Sequence, residues 1–130
     1  MYPLSMKRLT NMLRPKFSEE GSNANRFEKE VYQMFIKYLR ELSAGRRGSI
    51  TLGSVLIFVT STDEEPALGF KLPPTLVFEE VEEKKFLPKS STCINQLTLP
   101  RANETEPLPS QELLFNLYDY AFANAHYGLA

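Results

Sequence analysis

The chain has 130 residues, room for one domain with a single buried core. Hydrophobic residues make up 42% and charged residues 24%, a balance that excludes collagen-like, coiled-coil and disordered classes. The longest apolar run, Val55–Val59, is too short to span a bilayer, no signal peptide is visible, and the single cysteine excludes a disulfide scaffold. The net charge of −1 hides an asymmetry: residues 1–47 carry ten Lys and Arg against five Glu, and residues 48–130 carry five against eleven Asp and Glu. The cations of the front part are scattered through helical sequence, with no run longer than two. They read as solvated helix faces, not as a nucleic-acid surface.

Residues 1–25 read as a lead-in outside the core. Arg14-Pro15 interrupts any helix, and Phe17 to Asn25 has loop composition. From there Phe27, Val31, Met34, Phe35, Tyr38, Leu39 and Leu42 recur at steps of three and four, one face of an amphipathic helix. Asn25 suits its cap, with Glu28 in the capping-box position, and Gly45 its stop. Tyr32, Phe35 and Tyr38 follow the helical period and read as core rather than as a binding surface. Ser49 to Thr62 is ambiguous by periodicity. Val55, Ile57 and Val59 suit a strand; Thr51 as a cap before Leu52, Leu56 and Val59 suits a short buried helix.

Pro66 to Pro74 reads as irregular, with at most a short strand around Leu68–Phe70. Thr75 to Val81 reads as a strand, followed by a charged turn over Glu79–Lys85. Cys93 to Leu99 reads as a second strand ended by Pro100, with Cys93, Asn95, Leu97 and Leu99 on one face. Arg101 to Pro109 is a polar loop. Ser110 then caps a last helix with Leu113, Leu114, Leu117, Tyr118 and Ala121 inward. The order of elements predicts a small α/β or α+β domain.

Little of the usual catalytic chemistry is available. One histidine, His126, and one cysteine make no zinc site, and no cofactor is implied. The glycines are scattered, so no phosphate-cradling loop exists. No serine sits in a nucleophile elbow. Cys93 remains, with two readings: a small buried hydrophobe, or a thiol exposed where a polar loop enters a strand. Lys84, Lys85, Lys89 and Arg101 are near it in sequence and would favour its thiolate.

The segment Leu87-Pro88-Lys89-Ser90-Ser91-Thr92-Cys93-Ile94-Asn95-Gln96-Leu97-Thr98-Leu99-Pro100 resembles the active-site segment of HECT-type ubiquitin ligases. The family pattern is Leu-Pro, a short variable stretch, Thr-Cys, an apolar residue, Asn, any residue, Leu, any residue, Leu-Pro. Leu56–Thr62, then Pro66 and Leu68-Gly69-Phe70, is similar to the family's buried helix, Thr-Gly turn and Leu-Gly-Phe strand, with Ser61 in place of the turn glycine. The ending Tyr127-Gly128-Leu129-Ala130 is similar to the family's aromatic-Gly-Leu-small ending.

The resemblance implies the C-terminal catalytic lobe of such a ligase over residues 26–130. That is an α+β domain with a small mixed sheet of about four short strands flanked by helices, with Thr51–Thr60 helical. Residues 1–25 would then be a lead-in or interlobe hinge. Cys93 would be the nucleophile, accepting ubiquitin from a conjugating enzyme as a thioester and passing it to a substrate lysine. Ser91, Thr92 and Asn95 would support the loop, Ser91 standing where many members have His. Tyr127 would be the C-terminal aromatic that assists transfer. Glu79, Glu80, Glu82 and Glu83 would steer ubiquitin's basic tail.

The partners implied are ubiquitin, a conjugating enzyme recruited through the family's larger N-terminal lobe, and a protein substrate. A monomer in the cytoplasm or nucleus, with no nucleic acid, membrane or metal, is expected. The Asn103-Glu104-Thr105 sequon would be silent there. Two rivals stand beside this reading: a catalytically idle ubiquitin-binding or protein-interaction module of the same fold, and a small structural or DNA-associated domain using the basic front part.

Overall fold

The computed structural model describes residues 4–125. Among these residues the chain forms four helices and a four-stranded mixed sheet. The elements are α1 (Met6–Met12), β1 (Arg14–Pro15), α2 (Asn23–Ser43), α3 (Leu52–Thr60), β2 (Thr75–Glu80), β3 (Lys89–Ser91), β4 (Gln96–Arg101) and α4 (Gln111–Ala123). The α+β class with a small mixed sheet is as the sequence implied. Strand order is β1-β2-β4-β3; β1, β2 and β4 run parallel, and β3 is antiparallel to β4.

The opening residues are not outside the core, contrary to the sequence reading. Leu9 and Leu13 are buried in it. Arg14-Pro15 ends α1, as a proline must, but the extended backbone it enforces pairs with Thr75 and Leu76 as an edge strand.

The N-cap of helix α2 lies three residues before the expected one. Ser22 is the N-cap, its hydroxyl accepting from the Asn25 N–H at 3.1 Å. Asn25 and Glu28 are buried and serve another purpose. The Glu28 carboxylate accepts from the Ser18 backbone N–H and hydroxyl, both at 2.6 Å, and Asn25 donates to the Ser18 carbonyl at 3.0 Å. The two side chains thus pin the loop that feeds the helix. At the other end Gly45, with φ +72°, donates to Leu42, and Arg46 to Glu41, the paired bonds of a Schellman stop.

Thr51 caps α3 in a reciprocal box with Ser54, and the helical reading of this segment holds over the strand alternative. Ser61 follows in the left-handed conformation, φ +71°. The segment around Leu68–Phe70 forms a turn and not a strand: Gly69 donates to the Pro66 carbonyl and Leu68 is fully exposed.

The core joins α2 to α4 through aromatic rings. Tyr38 lies 5.3 Å from both Phe115 and Tyr118 and 5.8 Å from Phe122. On α4, Leu113 faces solvent at 52% exposure, while Phe115 and Phe122 take inward places that the expected stripe lacked. A polar clasp closes this layer. The Tyr38 hydroxyl donates to Asp119 at 2.9 Å, and Arg47, from the α2–α3 connection, holds the same carboxylate through two nitrogens. That bond raises the Arg47 pKa further. Burial first, then Asp119, pushes the Tyr38 phenol far above its usual range, and burial does the same to Tyr118.

Candidate functional site

The Leu87–Pro100 segment folds as an edge hairpin. β3 and β4 pair from Lys89–Thr98 to Ser91–Gln96, and Thr92–Asn95 make the turn. Cys93 lies on the tip of that turn, exposed, and not on a strand as the parity reading had it. The strand begins only at Gln96, and from there the alternation is right: Leu97 and Leu99 are fully buried. Pro100 does not end it. β4 continues to Arg101, because even-numbered positions turn toward β3, which stops opposite Thr98 and asks no N–H of residue 100.

Backbone bonds shape the turn. Ile94 donates to the Ser91 carbonyl at 3.3 Å and Asn95 to the Thr92 carbonyl at 3.4 Å. Asn95 has φ +53°, a conformation that asparagine tolerates better than most residues. Its side-chain amide donates to the Leu72 carbonyl at 2.7 Å, and its own carbonyl accepts from the Thr75 N–H at 3.0 Å. Asn95 therefore fastens the thiol-bearing turn to the segment entering β2. Ser91 and Thr92 contribute carbonyls; among the described residues no hydrogen bond uses their hydroxyls. The structure brings Ser91, Thr92, Cys93 and Asn95 onto one turn. Tyr127 and His126 lie outside the described residues.

Three of the four cations expected to favour the thiolate, Lys85, Lys89 and Arg101, pair with carboxylates instead. Lys89 bonds Glu79 at 2.8 Å, which raises the lysine pKa. Arg101 faces Glu80 at 3.9 Å and donates to the Ala102 carbonyl at 2.9 Å. Lys85 pairs with Glu83 at 3.3 Å. Register explains this. Gln96, at the thiol end of β4, lies opposite Thr75, whereas Arg101 lies opposite Glu80. Five strand residues separate the ends by about 17 Å. Glu79 and Glu80 thus sit at the end of β2 remote from Cys93.

Beside β3 lies a groove of about 390 Å³ walled by Phe58, Leu87, Pro88, Tyr120 and Ala121. Ser90 also lines the groove, and its hydroxyl oxygen is buried with no hydrogen-bond partner among the described residues. Sequence reasoning missed this groove and Leu72. Leu87 is a fixed residue of the Leu-Pro element, but its meeting with α4 joins residues far apart in the chain. A larger cleft of about 610 Å³, bordered by Arg8, Asp63, Glu64 and Glu65, uses no residue of the Leu87–Pro100 segment. Among the described residues no cluster of metal-ligating side chains occurs.

The HECT-domain (ubiquitin-transferase) family model matches residues 5–116. No curated protein sequence matches significantly. The match spans most of the chain, including α1, the buried α3, the Leu-Pro element, and the turn that presents Cys93. The chain therefore belongs to the HECT family of ubiquitin ligases.

Proposed function

We propose that this domain is the catalytic lobe of a HECT-type ligase, with Cys93 taking ubiquitin from a conjugating enzyme as a thioester and passing it to a substrate lysine. The observation that carries this reading is the exposure of the only cysteine, at the tip of a turn, within the family's active-site segment. A thiolate is intrinsically nucleophilic, and exchange of one thioester for another is close to balanced in energy. Such a step asks mainly for placement. Asn95 supplies it, holding the turn by its backbone conformation and its bond to Leu72.

The groove beside β3 is the seat for the donor's tail. β3 is an edge strand, so its outer backbone groups are open to an extended peptide, and the apolar walls would accept the tail's apolar side chains. A tail laid along β3 ends at the turn that bears Cys93.

The test uses ubiquitin carrying a C-terminal electrophile, with intact mass as the readout. A ubiquitin-sized adduct that disappears in Cys93→Ala supports the reading. No adduct in a folded sample whose Cys93 still reacts with a small thiol reagent counts against docking of the tail and returns the idle-module reading.

A further inference from the structure

Asn95 fastens a second segment to the thiol-bearing turn. Its amide donates to the Leu72 carbonyl at 2.7 Å and its carbonyl accepts from the Thr75 N–H at 3.0 Å, so one residue clamps both ends of Leu72-Pro73-Pro74-Thr75. The two prolines fix φ and stiffen that span, and Pro74 is buried. On the other side Phe70 packs against the core. The backbone of Lys71 thus lies between two anchored neighbours, one residue from the clamp. Lys71 is exposed, and among the described residues it forms no ion pair.

Register sets Lys71 apart from the lysines that are nearer to Cys93 in sequence. Lys89 lies four residues before the thiol, but Glu79 holds its ammonium at 2.8 Å. Glu79 stands opposite Pro100, toward the far end of the strands, and the bond keeps the proton on the amine. An ammonium has no electron pair with which to attack. Lys84 and Lys85 follow β2 at that far end. Lys71 precedes β2 and belongs to the thiol end.

The reach is sufficient. From Lys71 to Leu72 is one Cα step, from Leu72 to Asn95 one hydrogen bond, and from Asn95 back to Cys93 two steps around a turn. Steps of about 3.8 Å folded in this way leave about 10–14 Å between the two Cα atoms. An extended lysine carries Nζ about 6 Å out, a thioester carbon on cysteine stands about 4 Å out, and attack needs the two within about 3–3.5 Å.

We propose that Lys71 is a modification site of this chain, taking ubiquitin from Cys93 of the same molecule; the inference rests on the reading of Cys93 as the acceptor. The Lys71 amine, having given one proton to solvent, attacks the thioester carbon. A C–N bond forms, the C–S bond to Cys93 breaks, the sulfur leaves as a thiolate, and the nitrogen loses its second proton as the amide forms. Nothing is oxidised or reduced. Because the clamp holds donor and acceptor on one body, the step is unimolecular.

The experiment loads the full chain from ubiquitin whose C-terminus is a thioester of a small thiol. Intact mass follows two products: a thioester that excess thiol removes, and an isopeptide that it does not. Peptide mapping then locates the isopeptide. The expected result is an isopeptide at Lys71, formed at a rate independent of chain concentration. Lys71→Arg, which keeps the charge but cannot give up its proton, lowers that product about tenfold and lets the thioester accumulate. Lys84→Arg, at the far end, changes neither product. An isopeptide formed mainly at another lysine, a rate that rises with chain concentration, or unchanged discharge in Lys71→Arg overturns the inference. So does a thioester that forms and yields no isopeptide. A folded chain whose Cys93 reacts with a small thiol reagent but gives neither product removes the proposed function, and the inference with it.

Discussion

β2 and β4 run side by side, and their two ends are built differently. The far end gathers Glu79, Glu80, Lys89, Arg101 and Asn103 into ion pairs and hydrogen bonds at the surface. The thiol end has no ion pair among the described residues. It has one asparagine side chain bonded to a backbone carbonyl, two exposed apolar residues and Cys93. The contrast separates charge from placement. Of the cations close to Cys93 in sequence, Lys85, Lys89 and Arg101 are paired with carboxylates; what the turn itself supplies is placement of the thiol.

The largest effect tests the thiol end directly. Cys93→Ala abolishes the ubiquitin adduct while changing stability by less than about 0.5 kcal/mol, as expected of an exposed side chain; mass spectrometry and urea denaturation read the two quantities. Next comes alkaline pH, which bypasses both strand ends and acts on the α2–α4 layer. Tyr38 and Tyr118 have folded pKa values raised above those of the unfolded chain. Their contribution is complete below the unfolded value near 10 and is lost as pH rises above it. Each costs about 1.4 kcal/mol per pH unit over that range, visible as a falling denaturation midpoint between pH 10 and 11.

Asn95 is where placement can be broken without touching the thiol. Asn95→Ala forfeits an exposed hydrogen bond and forces alanine into a left-handed conformation, together about 1.5 kcal/mol. Asn95→Gly keeps the conformation and loses only the bond, about 0.5 kcal/mol. Adduct rates should rank wild type, Gly, Ala. Equal rates for all three would mean that the turn holds its shape without Asn95. Ser61 makes the complementary case: it is also left-handed, but no side-chain hydrogen bond fixes it among the described residues. Ser61→Gly should therefore stabilise the domain by about 0.5–1 kcal/mol in thermal or urea melts. The smallest effect belongs to the far end. Glu80→Ala should shift stability by less than about 0.5 kcal/mol and leave the adduct rate unaltered. A clear slowing would restore the idea that this acidic end steers the tail.

The local elements were legible from residues alone. The helical face from Val31 to Leu42, the Ser110 cap, the Gly45 stop and the Thr75 strand follow from periodicity and capping chemistry, which act over a few residues, whereas the Thr51 helix was decided by the family resemblance. So did the identity of the nucleophile candidate, because a motif is a pattern of neighbours in sequence. Periodicity erred where a partner far along the chain decided the outcome. Alternation from Leu97 and Leu99 was extended back into Cys93 and Asn95, but a hairpin must turn before it can pair, and those residues turn. Leu9 and Leu13 were passed over because a seven-residue helix carries too few turns to show an apolar face.

By itself, then, the sequence determined the α+β class, the main helices and strands, the family, and the cysteine to examine. Only the tertiary structure decided that Glu28 pins a loop, that Lys89 and Arg101 are spent on carboxylates remote from the thiol, and that Asn95 reaches back to Leu72. It also placed an apolar groove beside the hairpin. The reason is physical. Helix periods, caps and turns are set by neighbouring residues, whereas a salt bridge or a site wall depends on strand register, and register is fixed only when the whole core packs.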